Sequence, residues 1–432
     1  MKDYYFNLIE KLKNNLFFQN VAIVASGSLL ARIIGFFTAP IITRLYLPED
    51  YGVLSTYAAI IGIIITIASL RYEVTIPLPE KENKAISLLK LSFLITVGLS
   101  AFFSFLIILW GDFIAQQLSL THVKSFIWVI PTAFFGAGIY NALSSWATRH
   151  KLFKVITRTN ISQSLASRAV KIGFGFLGVT PLGLLLGLIT EQTAGVLLLF
   201  RKLLNKTPEF FKSFNRNEII DVAKKYKNFP IYQSWSQLLL GFGTHLPVIM
   251  IASIYGIQVV GLYGLAHSMV NMPMSILGQA VSKVYYAEIS RYGKNNPEAI
   301  YKLTISIMKK LFYFAIPPII VLILWGPWLF SFIFGESWFD AGLYAKALSF
   351  IILFRLVSSP IMHCLNVLEK QKVQLIFNIV RVFLVFLLFF ISMKLGINST
   401  SAIWLYSVAM SGFFFFIMIY ILSMIREKKA YE

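Results

Sequence analysis

The 432-residue chain holds one cysteine, Cys364, so it can build neither an internal disulfide nor a thiolate metal cluster. Acids are scarce too: 19 Asp and Glu stand against 39 Lys and Arg, and charged residues of both signs make up only 13% of the chain. A soluble domain of this length would carry about a quarter. The five histidines form no HExxH and no Cys/His ligand spacing, and the glycines form no nucleotide loop with a Walker lysine. These absences argue against an ATP-driven pump and against most metalloenzymes, so no cofactor is expected. The alternating segments of about 10 residues that mark a transmembrane barrel are also missing. No loop is large enough for a catalytic domain, and the chain is not expected to be an enzyme, although an intramembrane enzyme working with a few scattered charges remains compatible. Residues 1–20 form a charged, amphipathic lead-in without a cleavage site, so the first span is expected to be retained.

What is present is apolar: 57% hydrophobic and 16% aromatic residues, with a mean hydropathy of +0.72. Segments of about 20 residues, the length that crosses a ~30 Å hydrocarbon core, recur to the end. The fold class is all-α polytopic membrane protein with twelve transmembrane helices. They are expected at 20–43, 53–70, 86–110, 125–146, 160–179, 181–200, 231–254, 259–283, 303–325, 343–364, 374–393 and 401–423. With the N-terminus cytoplasmic, about 30 of the 39 Lys and Arg fall in the tail and alternate loops, which places both termini in the cytoplasm. The net charge of +20 then reports topology, and nucleic acid is not an expected partner.

An offset of 209 residues sets LYLPEDYGVLSTYA (45–58) against IYGIQVVGLYGLAH (254–267), aligning Tyr46 with Tyr255 and Gly52 with Gly261. A slightly larger offset pairs ILWGDFI (108–114) with ILWGPWL (323–329). The expected organisation is an N-terminal six-helix half at 1–200, a basic cytoplasmic linker at 201–230 and a C-terminal six-helix half at 231–432. An even number of spans per half makes the repeats parallel, an arrangement found in transporters.

Ionisable residues inside spans face a bundle interior or a watery cavity. On span one, Ser28, Arg32, Gly35, Ala39 and Thr43 recur at steps of three and four, the spacing of one helical face. On span five, Asn160, Ser164, Ser167, Arg168, Lys171 and Gly175 do the same. Arg355 lies in span ten and Arg381 in span eleven, while Glu191 in span six is the one acid deep in a span. Five cations (Arg32, Arg168, Lys171, Arg355 and Arg381) against one acid imply a cationic cavity suited to an anionic solute, and guanidinium forks suit phosphate oxygens. Gln237, Thr244, His267 and Asn271 are polar residues of spans seven and eight. Two plainer readings stay open. Arg168 and Lys171 could snorkel to headgroups, and Arg355 and Arg381 could pair with helix-end carbonyls. Glu191 is either a partner of these cations or a site coupled to H+ or Na+.

The blocks LLARIIGFFTAPIITRLYLPEDYGVLSTYAAI and LRYEVTIPLPEKENKAISLLKLS resemble the start of bacterial oligosaccharide flippases of the O-antigen (Wzx) type, in the multidrug/oligosaccharidyl-lipid/polysaccharide exporter superfamily. Later blocks at 144–165, 226–239 and 259–290 agree. The resemblance implies two six-helix halves around a central cationic cavity in the cytoplasmic membrane, with Gln237, Thr244, His267 and Asn271 expected along a sugar path. It implies movement of undecaprenyl-pyrophosphate-linked oligosaccharide between leaflets for O-antigen, capsule or exopolysaccharide synthesis, with membrane lipid, a polysaccharide polymerase and a chain-length regulator as partners. Its Pro-Glu-Asp-Tyr-Gly element maps onto Pro48 to Gly52 and its Leu-Arg-Tyr-Glu element onto Leu70 to Glu73, making Pro48, Gly52, Arg71 and Glu73 fold or gating residues. The alternatives are a flippase for a peptidoglycan or teichuronic-type precursor, or a membrane glycan polymerase.

Overall fold

A computed structural model describes residues 16–210, 215–292, 296–368 and 370–430. The charged lead-in at 1–15 and residues 211–214 of the expected linker lie outside the described residues. In hydrocarbon every backbone polar group must be satisfied within the chain, and long helices do this segment by segment. The helices are α1 (Leu16–Leu45), α2 (Pro48–Ile64), α3 (Glu82–Gln117), α4 (Val129–Arg149), α5 (Phe153–Phe176), α6 (Leu182–Thr193), α7 (Val196–Lys206) and α8 (Arg216–Lys225). They continue with α9 (Ser234–Tyr255), α10 (Ile257–Tyr292), α11 (Pro297–Phe334), α12 (Phe339–Ile361), α13 (His363–Val367), α14 (Gln371–Lys394) and α15 (Ser399–Ala430). No strand occurs among the described residues.

Among the described residues, ten stretches are long and apolar enough to span a membrane, α6 and α7 counting as one. Of the twelve expected spans, the fifth and eighth are absent from that set. They are present as the full-length helices α5 and α10, but the polar residues that make them interesting lower their hydropathy. The expected sixth span is broken at Ala194 and Gly195.

The chain divides into two compact units, one of residues up to Leu45 with 57–241, the other of 46–56 with 242–432. These limits differ from the expected 200 and 231. In unit 1, α1 lies along α5, α5 along α6, and α4 touches α3, α6 and α7. Trp146, Leu88, Leu89, Leu143, Leu199 and Leu203 are fully buried in its largest apolar cluster. The expected linker is part of this unit in its described residues. Asn215 caps α8 by accepting from the amides of Asn217 (3.1 Å) and Glu218 (3.4 Å). Ile219 and Val222, three apart, are buried on one face of α8, and Tyr72 Oη donates to the Ala223 carbonyl at 3.0 Å. In the sequence the basic charges of this stretch obscure the short apolar face between them.

The end of α2 runs into irregular helix at 65–75, where Leu70 and Arg71 adopt left-handed backbone (φ 49° and 64°). Arg71 Nη1 lies 3.2 Å from Glu73 Oε1, and Ser69 Oγ bonds the other carboxylate oxygen. Two residues that cannot share a helical face thus meet because the helix has ended.

Arg149, a basic residue at the end of α4, is a clamp. Its Nε donates to Glu82 Oε2 at 2.9 Å, Nη1 to the Pro79 carbonyl at 2.5 Å and Nη2 to the Glu80 carbonyl at 3.3 Å, while His150 Nε2 meets Glu82 Oε1 at 3.1 Å. Hydrogen bonds to a charged group contribute roughly 1.5–3 kcal/mol each where shielded, and the Arg149 side chain is only 13% exposed. Arg149→Ala is expected to destabilise unit 1 by about 2–3 kcal/mol, read as a fall in the unfolding midpoint of the purified protein. Arg149→Lys keeps the charge but not the fork, and should recover less than half of the loss; full recovery would show that charge alone matters.

Unit 2 is built around α12, which packs on α10, α11 and α15, with α14 against α15. Ala341, Ala345, Ala347, Leu348 and Val357 of α12 are essentially without solvent contact. The first turns of α2 belong here. Tyr51 meets Trp338 edge to face at 5.3 Å, and Gly52 rests on the Ile257 carbonyl of α10.

Candidate functional site

In unit 1 the polar face of α5 turns toward α1 and α6. Asn160 Nδ2 donates to Ser28 Oγ at 3.2 Å, and Ser164 Oγ to the Ala31 carbonyl at 2.9 Å. A side chain at Gly35 would meet Arg168 Nη2 at 2.9 Å, so the glycine leaves room for that guanidinium. Arg32, partly exposed, sits within one turn of both Ala31 and Gly35. On the α6 side, Glu191 Oε2 takes Lys171 Nζ at 3.3 Å and Arg168 Nη1 at 3.6 Å, with Ser167 Oγ at 3.2 Å. The Ser167 hydroxyl also lies 2.8 Å from the Gly187 carbonyl, and its single proton serves one acceptor at a time. Lys171 is buried, its side chain 4% exposed, whereas the Glu191 side chain is 38% exposed. Three of the sequence-derived charges therefore form one cluster with a net charge of +1. Sequence reasoning missed Tyr140, whose hydroxyl bonds Thr159 Oγ1 at 2.9 Å and donates to Asn160 Oδ1 at 3.0 Å, extending the polar face to α4.

In unit 2, Arg355 on α12 lies within electrostatic reach of Arg381 on α14, Tyr263 and His267 on α10, and Tyr406 on α15. The Tyr263 and Tyr406 hydroxyls lie within electrostatic reach of each other. His267 stacks on Tyr263, ring centroids 5.8 Å apart at 14°. The Arg381 fork lies against Gly243, where a side chain would meet Nη2 at 2.7 Å and Nε at 3.1 Å. Those two nitrogens are buried and have no hydrogen-bond partner. Among the described residues no ion pair includes Arg355 or Arg381. The tyrosines escaped sequence reasoning because an aromatic within an apolar run reads as core or lipid-facing. Of the expected sugar path, Gln237 falls in unit 1, and Thr244, His267 and Asn271 in unit 2, with Asn271 one turn beyond His267.

Unit 2 also contains the crossing of α2 and α10. A Cβ on Gly52 would fall on the Ile257 carbonyl, one on Gly261 on the Pro48 carbonyl, and one on Gly264 on Ser55 Oγ. Positions 48 and 257, 52 and 261, and 55 and 264 are each separated by 209, the offset found in the sequence repeat. Backbone contact of this closeness needs small residues on both helices.

These features have known relatives. Residues 41–343 match the polysaccharide biosynthesis protein family, well over half of the chain. The teichuronic acid biosynthesis protein TuaB of Bacillus subtilis (strain 168) is 23% identical over 137 residues, a match spanning 32% of this chain and 28% of that protein. Among solved structures, a multidrug resistance MATE family transporter of the MOP superfamily in an inward-facing conformation superposes with a TM-score of 0.69 at 14% identity, covering 95% of this chain and 99% of that one. The lipid II flippase MurJ in an inward closed conformation gives 0.68 at 14% identity, covering 94% and 87%. A MOP superfamily transporter from Pyrococcus furiosus, described as having a binding pocket of reverse polarity, gives 0.61 at 14% identity over 95% and 96%. The chain is a multi-pass membrane protein with the helical fold of these transporters, and it belongs to the polysaccharide biosynthesis protein family.

Proposed function

We propose that the protein is a flippase and not an enzyme: it carries an undecaprenyl-pyrophosphate-linked oligosaccharide repeat unit from the inner to the outer leaflet of the cytoplasmic membrane, for surface polysaccharide synthesis. The observation that carries this reading is the surplus of cations at membrane depth. Among the described residues, Arg168 and Lys171 share one carboxylate, Glu191, and no ion pair includes Arg355 or Arg381. Buried cations without counter-charge are costly unless an anion or water completes them. Sugar and pyrophosphate need a hydrated, charged path, while the polyprenyl tail stays in lipid. Alternating exposure of such a path to the two sides is the transporter solution. Family membership and the fold shared with a lipid II flippase support the reading, and the teichuronic acid relative keeps another lipid-linked cargo as the second one.

The reading needs no cofactor. The drive is a proton or Na+ gradient, with Glu191 as the coupling carboxylate, and a polymerase and chain-length regulator act on the delivered unit. Deletion of the gene followed by leaflet-resolved analysis of lipid-linked oligosaccharide tests the function. Intact units held on the cytoplasmic face are expected. Units delivered to the outer face but left unpolymerised would replace the flippase with a polymerase. Glu191→Gln is expected to abolish the ion dependence of flipping, and retention of that dependence removes Glu191 from the coupling role.

A further inference from the structure

We infer that the expected linker is a seat for anionic phospholipid: exposed cations of α7, α8 and the approach to α9 hold the phosphodiester headgroups of the adjoining leaflet. Residues 207–228 lie between the membrane-crossing stretches Leu182–Lys206 and Phe229–Tyr255, so α8, ten residues long, stays on one side of the membrane beside the ends of both. A connection this charged would ordinarily be a solvated tether, but this one is built into unit 1. Ile219 and Val222 are buried, Val222 in the same apolar cluster as Leu199 and Leu203 of α7. Tyr72 holds the Ala223 carbonyl, and Ser87 Oγ donates to Glu218 at 3.2 Å, which turns one acid of the segment inward. The outside that remains is basic. Arg201, Lys202 and Lys206 on α7 and Arg216, Lys224 and Lys225 on α8 are exposed, against the exposed acids Glu209 and Asp221. Among the described residues no ion pair includes any of these six cations. The α10–α11 connection of unit 2 differs: Arg291 lies 3.9 Å from Glu288, and Lys302 lies 2.9 Å from Glu298.

The exposed face is not uniformly polar, as a solvated one would be. Leu197 precedes Arg201 by one helical turn, and Ile220 lies one turn from both Arg216 and Lys224. Ile231, whose amide bonds the Lys227 carbonyl at 3.3 Å, follows that lysine by one turn, and Trp235 stands four residues further on. All four apolar side chains are exposed, Trp235 by 66%, and Tyr232 nearby by 70%. Exposed apolar residues scattered singly are ordinary. Cations and apolar side chains alternating at one-turn spacing fit the headgroup boundary, where phosphate meets the first and acyl chain the second. Trp and Tyr favour that same depth. A free phosphate or a soluble acidic partner would answer the cations and leave the apolar residues in water, whereas a phospholipid answers both. Each Lys or Arg close to an anionic leaflet contributes a factor of about five in affinity.

The test titrates the full-length protein in detergent micelles with phosphatidylglycerol, with phosphatidylcholine as the neutral reference, and counts bound lipid by native mass spectrometry. Phosphatidylglycerol is expected to bind first and more tightly. Arg216→Gln combined with Lys224→Gln removes two cations of one stripe and should weaken the tightest site about tenfold or more. Arg291→Gln combined with Lys302→Gln removes the same charge where carboxylates already answer it, and should change the affinity less than about twofold. Arg216→Lys with Lys224→Arg keeps both charges and should bind as wild type does. Glycerophosphoglycerol, the same headgroup without acyl chains, should not displace the lipid at equal concentration. The substituted side chains are exposed, so the unfolding temperature in detergent alone should match wild type. The assignment is overturned if phosphatidylglycerol binds no better than phosphatidylcholine, or if the two charge-removing pairs weaken it equally. Displacement by the chain-free headgroup overturns it too, in favour of a site for free phosphate. None of these readouts involves transport, so the seat and the flippase stand or fall separately.

Discussion

Glu191→Leu is expected to cost unit 1 about 3–5 kcal/mol, because removing one partner of a buried ion pair strands the other. The stranded group is Lys171, whose side chain is 4% exposed and lies 3.3 Å from the carboxylate. Arg168, 20% exposed, can turn toward water and suffers less. The second half of the experiment identifies the cause. Lys171→Met on its own leaves Glu191 with Arg168 and Ser167, and should be far milder. Combined with Glu191→Leu it removes the buried ammonium, and most of the lost stability should return. Chemical unfolding of the single and double variants measures both effects. A double variant no more stable than Glu191→Leu would mean that the loss comes from packing around α6 rather than from the stranded charge.

The second large effect is expected at the α2–α10 crossing. Gly261→Val places branched carbon where the Pro48 carbonyl and the Gly52 amide already sit, its Cβ 2.7 Å from the Pro48 carbonyl carbon and 2.8 Å from Gly52 N. Backbone cannot yield as a flexible side chain does, so the helices must part along the crossing. Overpacking costs typically 1–3 kcal/mol in soluble cores, and here the loss should reach the upper end or beyond, with little folded protein recovered from membranes. Gly264→Ala meets only Ser55 Oγ and Cβ and should cost less than half as much. Equal losses at 261 and 264 would contradict the distinction between a backbone and a side-chain obstacle.

The membrane class and the places of the helices are legible from hydropathy alone, since lipid admits few other solutions for such runs. The face of α5 is legible because Asn160, Ser164, Arg168 and Lys171 keep helical spacing, and the structure turns that face to α1 and α6. What stays hidden depends on contacts between distant segments. That Glu191 meets Lys171 across 20 residues can be suspected from charge but not located. Nothing local marks Tyr406 as a neighbour of Arg355, or Gly243 as the floor under Arg381. Arg149 looks like a topogenic charge until the loop carbonyls it gathers are seen. The limits of the compact units, cutting through α2 and α9, are also set by packing and have no marker in composition.

The crossing of α2 on α10 has the signature of an isologous contact: position 52 meets 257 and 261 meets 48, with 48 equivalent to 257 and 52 to 261. In separate chains such a surface would make a twofold dimer; here the two copies are covalently joined. Its energetics should therefore be coupled. Once a Cβ at Gly52 has pushed the helices apart, a Cβ at Gly261 enters space already opened. The pair Gly52→Ala with Gly261→Ala should cost clearly less than the sum of the two single changes, by a margin of about 1 kcal/mol or more. Drift at either glycine is thus penalised most heavily at its first step, so each copy of the repeat holds the other to glycine.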